Sequence, residues 1–197
     1  RSPLRSVLQP HLHNRHGRYY QNMDSSEFQG FLTSRSSVRV YTPDTLSEED
    51  IGYILDCAST APSAGNLEAW DVVVVTDDDA RIELRDAAFE QEHIRQAASI
   101  FVVCANYVRS MSRYGERGIL YAVQDATIAC TYMMLAAHAR QLHSCWTGAF
   151  DEEAVREILG LPQHVRPVVL LAVGKGQVPV ALTERLPVAE HIHRDVW

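Results

Sequence analysis

Two short stretches carry side chains in combinations that could do chemistry. In Arg35-Ser36-Ser37-Val38-Arg39, two guanidinium groups stand four residues apart with hydroxyls between them. Guanidinium forks and O–H donors can converge on the oxygens of a phosphate, although a solvated surface strand uses the same residues. The second stretch is Ala61-Pro62-Ser63-Ala64-Gly65-Asn66-Leu67-Glu68-Ala69-Trp70. Pro62 fixes a backbone angle, Gly65 permits a positive φ or a close approach, and Ser63 and Asn66 place donors and acceptors beside backbone N–H groups. Such a loop can hold a planar polar ligand. An ordinary tight turn with Trp70 as a core anchor is the alternative. Metal chemistry is poorly served. His11, His13 and His16 are irregularly spaced, His191 and His193 have no further ligands nearby, and no metal site is expected.

These stretches need elements to position them. Ile51, Ile54, Leu55 and Ala58 form the apolar stripe of a helix, with Ser47 as its cap and Asp50 three residues on. Val72 to Val75 reads as a strand buried on both faces. An earlier helix is expected from Asp24, where Glu27 completes a capping box and Met23 with Phe28 could form a staple, running to about Thr33. Asp77 to about Ala98 reads as charged helix in two pieces, and Ser99 to Ala105 as a second buried strand. Asn106 to Gly118 reads as an excursion without regular structure. Ile119 to about Ala139 is the longest element. Its two adjacent apolar rows predict a helix buried over most of its circumference, and Gln124, Asp125 and His138 argue against a membrane span. His143 to Thr147 should be a short strand opening into a turn at Gly148. A helix capped by Asp151 should stop at Gly160, and Val168 to Val173 should be a strand. Beyond Gly174 the chain reads as extended, with Leu186, Val188, Ile192 and Trp197 needing a surface to lie on. The alternation predicts an α+β or three-layer domain.

The chain has 197 residues, enough for one well-buried core, and 25 acidic against 18 basic side chains give a formal charge of -7. No dense basic run occurs, so neither nucleic acid nor a membrane is an expected partner. Cys57, Cys104, Cys130 and Cys145 are widely spaced in apolar contexts, as core thiols in a reducing compartment would be. Residues 1–22 have no apolar core segment, and the expected location is the cytoplasm. They read as a flexible arm, an interface-wrapping tail or residues added for expression, with residues 23–197 as the folded domain and Met23 as a candidate native start.

From about Phe31 to Trp197 the chain resembles the flavin-dependent nitroreductase family. The likeness rests on an ordered set: R-S-S-V-R at Arg35–Arg39, P-S-A-G-N-L-E-A-W at Pro62–Trp70, C-W-T-G-A-F-D-E at Cys145–Glu152 and R-L-P-V-A-E-H at Arg185–His191. Tyr114–Gly118 and Gln124–Ala126 fit as well. The resemblance implies a three-layer α/β/α domain with a central mixed or antiparallel sheet and a long buried helix, paired as a domain-exchanged homodimer with FMN in the interface. It implies that Arg35, Ser36, Ser37 and Arg39 of one subunit, with Arg185 at the 5′-phosphate, hold the cofactor. Pro62, Ser63, Ala64, Gly65 and Asn66 of the other would reach the isoalloxazine, and backbone N–H groups at Thr147 and Gly148 would lie by flavin N5 and O4. The implied activity is hydride transfer from NADH or NADPH through FMN to a nitroaromatic, quinone or similar small conjugated acceptor, by a ping-pong route and with no catalytic side chain. Tyr114 and Arg117 are the expected acceptor contacts, with packing as their alternative role. The same fold is compatible with dehalogenation, enone reduction, flavin fragmentation, deazaflavin-cofactor maturation, or flavin binding without catalysis. The chain departs from the family pattern at Ser36, at Glu68-Ala69 in place of Gln-Pro, at Thr131 and at His143. These changes bear on reduction potential and acceptor range more than on FMN binding.

Overall fold

The computed structural model describes residues 24–179 and 184–197. The histidines at 11, 13 and 16 and the staple residue Met23 lie outside them. The chain divides into two compact units at Arg35/Ser36, whereas the sequence had suggested a boundary at Met23. The described part of the first unit is helix α1, Ser25–Ser34, with Asp24 and Glu27 closing the expected capping box and Arg35 as the residue that ends the helix. No residue of α1 is buried.

The second unit is built on a four-stranded antiparallel sheet in the order β1-β2-β4-β3, formed by β1 (Trp70–Val75), β2 (Ser99–Asn106), β3 (His143–Thr147) and β4 (Val165–Gly174). Side chains alternate across it as strand geometry requires. Phe101, Val103, Ala105, Val169, Leu171 and Val173 enter one core layer, and Ile100, Val102, Cys104, Leu170 and Ala172 enter the other. The register slips between Val103 and Cys104, whose partners are Val169 and Pro167. Pro167 has no N–H to give the ladder, and the bulge beside it absorbs that loss.

The first layer is covered by α2 (Glu48–Ala58) and α6 (Arg117–Ala139), the second by α3 (Asp78–Ala87), α4 (Glu92–Gln96) and α7 (Glu152–Leu159). Ser47 and Asp151 cap α2 and α7 as expected, and Gly160 ends α7 at φ 60°, a conformation glycine adopts without a Cβ penalty. Among the described residues α6 is the helix long and apolar enough to cross a membrane, yet it packs on the sheet and on α2.

Four sequence expectations are corrected. The valine run of β1 is only half-buried before Val75, because β1 is an edge strand and an edge leaves part of each face uncovered. The row of α6 holding Ala122, Ala126, Ala129, Met133 and Ala136 is buried as predicted, but Ile119 and Leu120 are exposed where the helix runs past the sheet. Strand β4 starts three residues before Val168. The supposed excursion contains a helix, α5 (Tyr107–Tyr114), capped by Asn106. Tyr107, Val108, Met111 and Tyr114 do recur at helical spacing, but over only eight residues and among charged and polar neighbours, so the short stripe does not stand out in the sequence.

Candidate functional site

The loop before β1 is held from the inside by one carboxylate. Asp125, 2% exposed in the middle of α6, accepts the Ala64 N–H at Oδ1 (2.8 Å) and the Ala69 N–H at Oδ2 (3.2 Å). Between these anchors the Ser63 hydroxyl oxygen accepts the Glu68 N–H at 3.0 Å, and a single 3-10 turn at Ala64–Asn66 reverses the chain. Gly65, Asn66 and Glu68 all have positive φ, at 59°, 57° and 47°. For Asn66 and Glu68 that backbone is uncommon and costs stability, and it persists because the hydrogen bonds on either side over-determine it. Ala69 stands where the family pattern has proline. The substitution supplies the N–H that Asp125 uses, which proline could not.

Helix α5 ties the loop from the outside. Arg109 donates from Nη1 to the carbonyls of Glu68 and Trp70, both at 2.8 Å, and from Nη2 to Asp71 at 2.6 Å. Asn106 donates to the other Asp71 oxygen at 2.7 Å. Further along, Tyr114 covers Gly65 so closely that a Cβ there would lie 2.4 Å from its hydroxyl. The loop thus presents outward Pro62, the Gly65 backbone and the Asn66 carboxamide, which makes no side-chain hydrogen bond among the described residues. A flat polar ligand is what such a surface fits.

The arginine stretch is positioned at the other edge of the sheet. Ser37 bridges Ser144 in parallel, and the Val38 N–H donates to the Ser144 carbonyl at 3.0 Å, laying residues 37–38 along β3. Val38 is fully buried, while Arg39 next to it faces solvent. At the end of β3, His93 from α4 meets Thr147, with Nε2 and Oγ1 sharing a hydrogen bond at 2.8 Å, both side chains buried. Burial and then the nearby Arg39 charge hold His93 below the ordinary histidine value, so its ring favours the neutral form. Gly148 follows with open space. A Cβ there would meet nothing nearer than Trp146 Nε1 at 3.7 Å, so packing within the chain does not require glycine. A close approach from outside would.

Ion pairing separates the arginines. Those on α3, α4, α7 and β4, together with Arg109 and Arg140, each face a carboxylate. Arg35, Arg39, Arg113, Arg117, Arg185 and Arg194 have none among the described residues. Arg39 and Arg185 come from the two stretches expected at a phosphate.

The structure therefore gathers the expected residues into two groups within the second unit. Pro62 to Asn66 lie at the β1 edge with Tyr114 against Gly65. Ser37, Arg39, Thr147 and Gly148 lie at the β3 edge. Thr147 is in register with Leu170, Val102 and Val73 across the sheet, so about 14 Å, three strand spacings, separates it from β1. Arg35 is in the first unit and Arg185 in the exposed tail. Arg117 donates to the Tyr121 hydroxyl at 2.7 Å. Sequence reasoning missed Asp125, Arg109 and His93. A signal existed for Asp125, an acid in an alanine-rich buried helix, whereas the partners of Arg109 and His93 are distant in sequence. His143, one of the departures, has a structural role, accepting the Gly176 N–H at Nδ1 (3.2 Å). Thr131 bonds only its own helix, at the Thr127 carbonyl.

The chain belongs to the nitroreductase family, whose pattern it matches over residues 32–92 and 89–175. A protein of Archaeoglobus fulgidus, named as an NADH dehydrogenase/NAD(P)H nitroreductase, is 33% identical over 172 residues, covering 84% of this chain and 96% of that one. A Bacillus subtilis protein named FMN reductase (NADPH) is 26% identical, covering 84% of this chain and 72% of its own. Among solved structures, NfrA1 of B. megaterium superimposes with a TM-score of 0.81 at 26% identity, covering 86% of this chain and 74% of that one.

Proposed function

We propose that the chain is an NAD(P)H-dependent FMN oxidoreductase whose flavin sites are each completed by two copies of it. The observation that carries this reading is the separation of the two half-sites. A loop shaped for a planar ring stands at one sheet edge, and an arginine without a carboxylate partner, beside an open glycine, stands at the other. Neither suffices alone, and a second copy with exchanged elements brings them together. The residues fit FMN. Arg35, Ser36, Ser37, Arg39 and Arg185 would hold its phosphate and ribityl end, Pro62 to Asn66 the ring, and Thr147 with Gly148 the ring edge. The exposed tail supports the pairing, since Leu186 at 64% and Val188 at 72% exposure have no cover among the described residues. The buried thiols Cys104, Cys130 and Cys145 suit a reducing cytoplasm.

Bound by these residues, FMN would supply two-electron chemistry, as hydride acceptor from NAD(P)H and electron donor to the acceptor. The protein's own residues bind and orient. Arg39 would supply positive charge to the anionic cofactor, and Asp125 fixes the loop so that the ring need not order it. Donor and conjugated acceptor would occupy the one pocket beside the loop in turn, which would give ping-pong kinetics. For a nitroaromatic, NAD(P)H and one further proton convert the nitro group to nitroso with release of water. For a quinone the same donor and proton give the hydroquinone. The relative named FMN reductase (NADPH) supports the cofactor and donor classes.

The test is complementation. Arg39→Ala and Gly65→Val each impair a different half, so each alone should lose FMN. A mixed dimer places both lesions in one site and leaves the other intact, restoring flavin absorbance and menadione reduction to about half. No recovery in verified mixed dimers would overturn the two-copy site, and a colourless wild-type protein that refuses FMN would overturn the oxidoreductase reading.

A further inference from the structure

Two arginines and two tyrosines form a layered cluster beside the ring-facing loop. Tyr114 and Tyr121 meet edge to face with centroids 4.9 Å apart. The Arg113 guanidinium lies 5.6 Å from the Tyr114 centroid, and that of Arg117 lies 5.4 Å from the Tyr121 centroid. Cation–π contact orients both cations without neutralising them. Arg117 is steered further by donating to the Tyr121 hydroxyl, and Arg113 reaches the Gly65 carbonyl at 3.4 Å. Glu116 lies next to Arg117 in sequence but within ion-pair distance of neither arginine.

The contrast with Arg109, on the helix that also carries Arg113, is informative. Arg109 spends its charge on Asp71 and its N–H groups on loop carbonyls, as a structural arginine does. Arg113 and Arg117 are exposed, held by rings, and carry charge that no carboxylate of the described residues answers. They flank Tyr114, which covers Gly65. A ligand lying on the loop would therefore have an aromatic edge beside it and two positive groups at its rim.

We propose that Arg113 and Arg117 select acceptors that are aromatic and negatively charged, a carboxylate-bearing ring being the simplest case. The proposal rests on the oxidoreductase reading for its kinetic consequence, but not for binding itself. Planar guanidinium groups pair with a carboxylate through parallel N–H donors, which an amide of the same shape cannot match.

The experiment compares 4-nitrobenzoate with neutral 4-nitrobenzamide as acceptors, and benzoate with benzamide as non-reducible ligands in calorimetry of the purified protein. Wild type should favour the anion in both assays. In Arg113→Gln/Arg117→Gln the ratio of kcat/KM for nitrobenzoate to that for nitrobenzamide should fall about tenfold, with a parallel loss of benzoate affinity. Raised salt should shrink the wild-type preference and leave the double variant little changed. A ratio that does not move would overturn the proposal, as would a rise in KM for NADPH over NADH with nitrobenzoate unaffected, which would assign the arginines to the donor's phosphate. If the protein turned over neither of these acceptors nor menadione, the oxidoreductase reading would fail. The benzoate titration would still decide the anion site.

Discussion

The loop at Pro62–Asn66 and the segment at Ser37–Arg39 sit at opposite edges of one sheet and are finished to different degrees. The loop has nearly every polar group accounted for: Asp125 beneath it, Ser63 within it and Arg109 outside it satisfy the backbone at five points. The arginine segment has its backbone laid against β3 and Val38 buried, yet Arg39 faces no carboxylate among the described residues. A ring is recognised by shape, and shape must exist before the ligand arrives. A phosphate is recognised by charge, and a cation already neutralised by its own chain would have less to offer. Geometry is settled on one side and charge is kept unspent on the other.

The sharpest way to break this comparison is to unfasten the loop. Asp125→Ala leaves the Ala64 and Ala69 N–H groups without their acceptor, and about 3 kcal/mol of stability should be lost, visible as a lower thermal midpoint with faster exchange of those two amides. If exchange there is unchanged, the carboxylate is not what holds the loop. Next in size is the charge side. Arg35→Ala should weaken FMN retention by about 1.5–3 kcal/mol, roughly ten- to a hundredfold, with little effect on the thermal midpoint of the apoprotein. Undiminished affinity would remove Arg35 from the phosphate site.

Acid sharpens the same contrast more gently. His93 is held below the ordinary histidine value by burial, so below about pH 6.5 the unfolded chain binds more protons than the folded one. Its contribution is whole above that pH and is lost as pH falls toward the folded-state value. His93→Gln should flatten the fall in thermal midpoint between about pH 7 and about pH 5. An equally steep fall would assign the acid sensitivity to other groups. The smallest effect concerns Glu68, exposed at φ 47°. Glu68→Gln should raise the flavin potential by about 10–30 mV if its carboxylate faces the ring, and a fixed potential would show that it faces water.

Local signals carried the sequence a long way. The capping residues Asp24, Ser47 and Asp151, the stop at Gly160 and the two apolar rows of α6 are short-range patterns, and each marks an element that forms. Errors arose where the deciding contact was distant. The valines of β1 look central, but their neighbours are set by a strand order that periodicity does not encode. Helix α5 buries little and exists to deliver Arg109 to a loop about forty residues earlier, so its composition resembled an excursion. Of the candidate site, the residues expected to face a ligand stood out because glycine, proline and arginine are unusual in themselves. Asp125 and His93 act through partners in other elements, and only the fold reveals them.

On the proposed reading, the placement of the half-sites would make cofactor retention a matter of protein concentration. If each flavin needs an edge from two chains, the flavin binds the associated form and not the separated chains, and mass action ties the two equilibria together. Dilution should then strip flavin from a protein whose every contact is intact, and added FMN should tighten assembly. A cell making more of the chain would gain holoenzyme more steeply than in proportion, because each new copy also supplies the missing edge for another.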